Sequence, residues 1–129
     1  MPTVQQILLR KGSGVIGATP ATTVREAALK MMQADVACLV VEQPPDVLGV
    51  FTERDLARRV VAAGKDPAAT CLAEVLSSPA RTCAPGDDPR DCARVMVDQR
   101  IRHLVVLDAG ELVGVLSVRD LLAAELRRS

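Results

Sequence analysis

Gly49-Val50-Phe51-Thr52-Glu53-Arg54-Asp55-Leu56 is answered further along the chain by Gly114-Val115-Leu116-Ser117-Val118-Arg119-Asp120-Leu121. In each stretch a hydroxyl stands three residues after a glycine and a carboxylate three residues after the hydroxyl, just beyond an apolar run that reads as a strand. Counting back from the two glycines, Pro20 to Leu56 lies on Pro85 to Leu121 with a constant offset of 65 and no gap, and 11 of the 37 pairs are identical. Chance does not produce that agreement. A tandem repeat of this kind builds one symmetric object with two equivalent clefts, so the duplicated pair points to binding more than to catalysis.

The repeat extends upstream. Thr3 can cap a short helix with apolar positions Val4, Ile7 and Leu8, and Leu72, Val75 and Leu76 reproduce that triplet 68 residues later. The change of offset leaves three extra residues in the first copy, around Lys11-Gly12-Ser13-Gly14. Thr23-x-x-Glu26 is a capping-box pattern opening a helix that buries Val24, Ala27, Ala28, Met31 and Met32. Its twin opens at Asp88 with Pro89 in the first helical position and Asp91 near the positive end of the helix dipole. Two apolar runs, Cys38–Val41 and His103–Leu107, lead through Pro44-Pro45-Asp46 and Asp108-Ala109-Gly110-Glu111 into Val47–Phe51 and Leu112–Leu116, which predicts a hairpin in each copy. A closing helix runs from about Glu53 to Ala63 and stops at Gly64; its twin runs from about Val118 towards Arg128. Each copy therefore reads helix, short strand, helix, strand, strand, helix, with a boundary that places 1–66 in the first repeat and 67–129 in the second. Each apolar sheet face is expected to be buried against the other repeat.

Composition narrows the function. A chain of 129 residues can bury roughly two thirds of its unfolded surface without a disulfide or metal staple. The core must be aliphatic, because Phe51 is the one aromatic residue. Sixteen basic residues balance sixteen acidic ones and there is no Trp or Tyr, so neither a basic face nor base-stacking platforms favour a nucleic-acid partner. The opening Met-Pro-Thr-Val-Gln-Gln does not read as a secretory signal, and no apolar stretch approaches the length of a membrane span. Cys38, Cys71, Cys83 and Cys92 form no Cys-x-x-Cys pair and read as buried or half-buried thiols of a reducing cytoplasm, with a zinc site or redox pair as the alternative and no metal ligands assigned.

Three motifs have plain readings. Gly12-Ser-Gly14-Val-Ile-Gly17 spells the glycine pattern of a dinucleotide fold, yet the strand that should precede it and the helix that should follow at once are missing, so it reads as a flexible turn. His103, the lone histidine, has no triad or metal-ligand spacing around it. Thr52 with Asp55 and Ser117 with Asp120 have the spacing by which a helix caps itself. Capping explains either copy; it does not explain why the glycine and Arg-Asp-Leu return as well. A strand running into a helix N-terminus presents free amides to an anionic or polyhydroxylated ligand.

Taken together, Gly49-x-x-Thr52-x-x-Asp55, Gly114-x-x-Ser117-x-x-Asp120, Thr3-Val-x-x-Ile7-Leu, Lys11-Gly12, Glu53-Arg-Asp-Leu-Ala-Arg58, Gly64-Lys65 and Arg102-His103-Leu104 resemble a cystathionine β-synthase (CBS) domain pair, or Bateman module, across essentially the whole chain. The resemblance implies an α+β fold of two β-α-β-β-α repeats in a pseudo-twofold module, commonly a homodimer, with adenosine ligands such as AMP, ADP, ATP, S-adenosylmethionine or NAD held in clefts between repeats. It implies that Asp55 and Asp120 hold ribose hydroxyls, that Thr52 and Ser117 lie near ribose or phosphate, and that basic residues opening the second strand reach the phosphates. Only the second copy has these, as Arg102 and His103 against Ala37 and Cys38, so the second cleft is expected to suit a charged nucleotide better. Arg54 and Arg119 are further phosphate candidates. The family's Leu-Pro-Val is replaced by Leu39-Val-Val41 and Leu104-Val-Val106, which restores a backbone donor in each strand.

The expected function is a non-enzymatic cytoplasmic sensor that binds an adenosine ligand and acts on another, unidentified protein, without nucleic acid or membrane. The competing expectation is a ligand-free structural dimer whose signature residues serve only as caps.

Overall fold

The computed structural model describes residues 2–12 and 14–128. The chain forms two compact units, one from Ile16 to Ala80 and the other joining the residues up to Val15 with those from Arg81 onward.

In the unit beginning at Ile16, β1 (Gly17–Ala18) lies parallel to β2 (Cys38–Gln43), which pairs antiparallel with β3 (Asp46–Thr52). Helix α2 (Val24–Ala34) connects β1 to β2, and α3 begins with Glu53–Asp55 and continues as a π-helical stretch, Leu56–Val61. The wider turns replace the regular α-helix expected to run to Ala63, with Ala62 N–H bonding Ala57 O and Lys65 N–H bonding Val60 O across five residues. Gly64 takes φ of +71°, the left-handed geometry a helix-ending glycine provides. Leu39, Val41 and Phe51 from the sheet pack with Val24, Ala27, Met31 and Val60 from the helices, as alternating strand faces and the 3.6-residue helical period require. Met32, expected in this core, is 70 % exposed, because an apolar stripe wide enough to reach it turns past the sheet. Ala28 is half-buried. The expected capping box at Thr23 is also only half made: Thr23 Oγ1 accepts from Glu26 N–H at 3.1 Å, but the Glu26 carboxylate takes the Thr23 hydroxyl, not its amide.

The other unit repeats the plan with β4 (Thr82–Cys83), α4 (Pro89–Gln99), β5 (His103–Asp108), β6 (Glu111–Ser117) and α5 (Val118–Arg128). Even the irregularities recur, since the hairpin register slips after Val41–Gly49 in one unit and after Val106–Gly114 in the other. The donors restored by the missing prolines are used: Val40 N–H reaches Ile16 O and Val105 N–H reaches Arg81 O, both at 2.9 Å.

The leading segments cross over. Helix α1 (Val4–Lys11), closed by a Thr3–Gln6 capping box, precedes the first copy in sequence but buries Val4 and Ile7 in the core of Leu104, Val106 and Leu116. Its counterpart, a 3₁₀ turn at Leu72–Glu74, packs Leu72 and Val75 against the first copy. The free amides at the head of each segment explain the docking. Val4 and Gln5 donate to Asp87 O and Pro85 O, and Leu72 and Ala73 donate to the matching carbonyls of Thr22 and Pro20. The division at 66/67 follows the sequence repeat, whereas the packed units divide at Val15/Ile16 and Ala80/Arg81. An apolar triplet states that a helix must be covered; it does not state by which copy. The glycine motif straddles the first crossing, with Gly12 as the C-cap of α1 at φ +88° and Ser13 outside the described residues.

Candidate functional site

The two hydroxyl and carboxylate pairs sit where a strand turns into a helix, and in each the hydroxyl caps that helix. Thr52 Oγ1 accepts from Asp55 N–H and Ser117 Oγ accepts from Asp120 N–H, both at 3.1 Å. Each carboxylate reaches back to the amide of its hydroxyl residue, at 3.0 Å for Asp55 and 2.8 Å for Asp120. So far the copies agree.

They differ in what else the carboxylate holds. Asp55 is 5 % exposed, and its Oδ2 also takes the Thr52 hydroxyl at 3.1 Å. Its Oδ1 accepts from Ser77 Oγ at 2.8 Å and lies 3.4 Å from Arg59 Nε. Both oxygens of this carboxylate are therefore consumed inside its own unit. Asp120 uses Oδ2 alone, for Ser117 N–H and for Lys11 Nζ at 2.8 Å. Among the described residues Asp120 Oδ1 has no hydrogen bond, and because no buried side-chain polar atom there lacks a partner, Oδ1 faces solvent. The Ser117 hydroxyl likewise accepts one bond and keeps its proton to give.

Basic groups gather around Asp120. His103 pairs directly with Ser117 across β5 and β6, so the two side chains share one face of the hairpin. Burial depresses the imidazole below its ordinary value; Asp120 opposes that shift, and Lys11 and Arg102 reinforce it. At neutral pH His103 is thus a neutral donor or acceptor beside the open carboxylate. Arg102 is exposed, and its carbonyl receives Val118 N–H at 3.0 Å, anchoring the start of α5. The matching bond in the other unit runs from Glu53 N–H to Ala37 O, with Ala37 and Cys38 where the basic pair stands in the second. Arg54 and Arg119 are exposed on their helices.

Three residues of these sites were not foreseen from sequence. Arg59 was legible in principle, since it stands four residues after Asp55 on one helix face. Ser77 and Lys11 were not, because each belongs to a leading segment whose partner copy only folding reveals. Lys11 also donates to Val115 O at 2.8 Å, so the last turn of α1 is tied to both the strand and the carboxylate.

Burial, followed by the neighbouring Cys92, pushes the Cys83 thiol up to about 12, and a thiol held protonated is a poor nucleophile. No helix among the described residues is long and apolar enough to cross a membrane.

Comparison with known proteins agrees with this architecture. The CBS domain family model matches residues 9–62 and again 72–127. A CBS-domain protein from Burkholderia ambifaria is 33 % identical, superposes with a TM-score of 0.92 and shares 97 % of this chain with 94 % of its own. The CBS domain protein PAE2072 from Pyrobaculum aerophilum, solved in complex with AMP, is 29 % identical with a TM-score of 0.82, over 98 % of this chain and 99 % of that one. An uncharacterised Methanopyrus kandleri protein, MK0525, is 34 % identical over 86 % of this chain, which spans 58 % of that relative's length. Two matched copies with the same strand, hairpin and helix plan make the chain a member of the CBS-domain family.

Proposed function

We propose that this chain is a non-enzymatic regulatory module that binds an adenosine-containing ligand at Ser117 and Asp120 and passes the event to a partner protein. The observation that carries the reading is the unequal state of the two carboxylates: Asp55 is closed by Thr52, Ser77 and Arg59, while Asp120 keeps one oxygen for a newcomer. A carboxylate oxygen facing solvent beside a free hydroxyl proton suits the vicinal hydroxyls of a ribose, and charge-assisted bonds of this kind are the stronger ones. Lys11, Arg102 and His103 stand close enough to one another to shift the imidazole, and together they offer cationic and hydrogen-bonding contacts to a phosphate tail. Arg119 is a further candidate for that tail. The AMP complex of PAE2072 supports an adenine nucleotide as the ligand class. AMP, ADP, ATP, S-adenosylmethionine and NAD all carry the ribose this site would grip.

A ligand moves a conformational equilibrium only by its different affinity for the two states. Lys11 supplies such a difference. A phosphate that draws its ammonium from Asp120 also loosens its hold on Val115 O, and so the end of α1. A homodimer would give that movement a surface to act on; a neighbouring CBS-CP12 protein from cyanobacteria is hexameric.

The test is calorimetry and thermal shift on the full chain with the five ligands. Binding at a hundredfold excess over Kd stabilises by about 2.7 kcal/mol. Asp120→Ala should abolish the response to the binding ligand. If no adenosine ligand stabilises the wild-type chain at saturation, the ligand-free structural reading replaces this one.

A further inference from the structure

Among the described residues, Cys83, Asp87 and Cys92 bring their sulfurs and a carboxylate oxygen within 4.8 Å of one another. Cys83 ends β4, Asp87 lies in the turn that follows and Cys92 faces inward from the first turns of α4. The whole group fits in ten consecutive residues, so it closes only a short loop. We propose that these three side chains form a binding site for a thiophilic divalent cation, zinc foremost, with a fourth position open to water.

The internal repeat supplies the control. At an offset of 65 the same three positions in the first copy are Ala18, Thr22 and Ala27, and both alanines are buried in a core of the same plan. The fold is thus satisfied by two methyl groups and a threonine at these places. Cys83, Asp87 and Cys92 are an addition to it. Asp87 Oδ2 accepts from Ala84 N–H at 2.9 Å, the turn bond that Thr22 Oγ1 takes from Thr19 N–H in the first copy; unlike the threonine, the carboxylate has a second oxygen, Oδ1, that is left without a hydrogen bond. Arg90 and Arg94, on the same helix as Cys92, pair with Asp88 and Asp91.

Chemistry selects the ion. Two thiolates and one carboxylate favour zinc and its soft neighbours and exclude a site designed for magnesium or calcium. With metal–sulfur bonds of ~2.3 Å and metal–oxygen bonds of ~2.0 Å, tetrahedral sulfurs stand ~3.8 Å apart and sulfur and oxygen ~3.5 Å, so ligand atoms now within 4.8 Å of one another must close by about 1.3 Å at most. Rotation of the exposed Asp87 and half-buried Cys83 side chains provides that. On binding, two S–H bonds release their protons to solvent and two sulfur–metal bonds form; no electron changes hands.

The experiment uses the full chain, reduced and under argon, titrated with Co2+ and then Zn2+. One equivalent of Co2+ should give a thiolate-to-cobalt charge-transfer band and four-coordinate visible bands, both erased by Zn2+. The triple variant C83A/D87T/C92A copies the first repeat, should keep the wild-type circular dichroism, and should show no band. D87T alone should weaken Zn2+ by about tenfold or more, whereas C38A/C71A should bind as the wild type. Three results overturn the proposal: no charge-transfer band in excess Co2+, a band that survives in the triple variant, or a Cys83–Cys92 disulfide on oxidation with no uptake of metal by the reduced chain.

Discussion

Asp55→Ala and Asp120→Ala remove equivalent carboxylates from equivalent caps, and the structure makes their costs unequal. In both variants the hydroxyl goes on capping the helix, because the bond from residue 55 or 120 is donated by its backbone amide. Asp55→Ala then strips three donors, Thr52 N–H, Thr52 Oγ1–H and Ser77 Oγ–H, and strands Arg59, all around a group that is 5 % exposed. Each bond to a charged acceptor contributes about 1.5 kcal/mol, and because Thr52 and Ser77 are half-buried water replaces part of what is lost, so a loss of about 3–5 kcal/mol is expected. Asp120→Ala strips the Ser117 N–H bond and a lysine pair whose side chains are 37 % and 15 % exposed. A partly solvated pair contributes about 0–1 kcal/mol, and the total should be about 1–2 kcal/mol. Urea unfolding at neutral pH, followed by circular dichroism with unchanged m-values, measures both. Ser77→Ala should recover about a third of the Asp55→Ala effect. Equal losses for the two aspartates, or the larger loss at Asp120, would refute the claim that one carboxylate is structural and the other open.

Gly49→Ala and Gly114→Ala should diverge in the same direction for a different reason. A methyl at Gly49 meets Ser77 O, and Leu76 Cδ1 at 2.5 Å, where Val50 and Ser77 are bonded backbone to backbone, so a loss of about 3 kcal/mol or more is expected. At Gly114 it meets only the tips of Leu8, at 2.9 Å and 3.0 Å, which can rotate away, and unfolding should register about 1 kcal/mol. His103 makes stability depend on pH: its folded pKa lies below the ordinary 6.5, so the unfolded chain binds more protons there, and stability present above pH 6.5 is lost as pH falls through 6.5 towards the folded value. His103→Asn should flatten that slope. If a phosphate docks beside His103 it raises the imidazole pKa, so binding in this window should take up protons, read from calorimetry in buffers of different ionisation enthalpy.

Periodicity and turn chemistry carried the fold a long way. Two hairpins, two main helices and the capping roles of Thr3, Thr23 and Asp88 all follow from local rules, and the structure keeps them. What stayed hidden was relational. The exposure of Met32, the π-helical turns after Asp55 and the crossing of the leading segments depend on which surface covers which, and that information is spread over residues far apart in sequence. The candidate site divides along the same line. Asp120, Ser117 and His103 were visible because they share one hairpin and its helix; Lys11 was not, because it reaches Asp120 from 109 positions away.

The repeat began as an argument for equivalence and ends as a record of divergence. Where the first copy has Ala37 and Cys38 beside its carboxylate, the second has Arg102 and His103; where the first has Ser77 and Arg59 closing Asp55, the second has a single lysine on one oxygen of Asp120. A ligand approaching Asp55 would have to break the Ser77 bond, which costs about 1.5 kcal/mol or roughly tenfold in affinity, and displace the half-exposed Arg59, which costs about 0–1 kcal/mol more. At Asp120 the entering hydroxyl finds an oxygen already free. Affinities at the two places should therefore differ by about ten- to a hundredfold, and two equal sites in a calorimetric titration would show that the internal bonds of Asp55 do not compete with ligand at all.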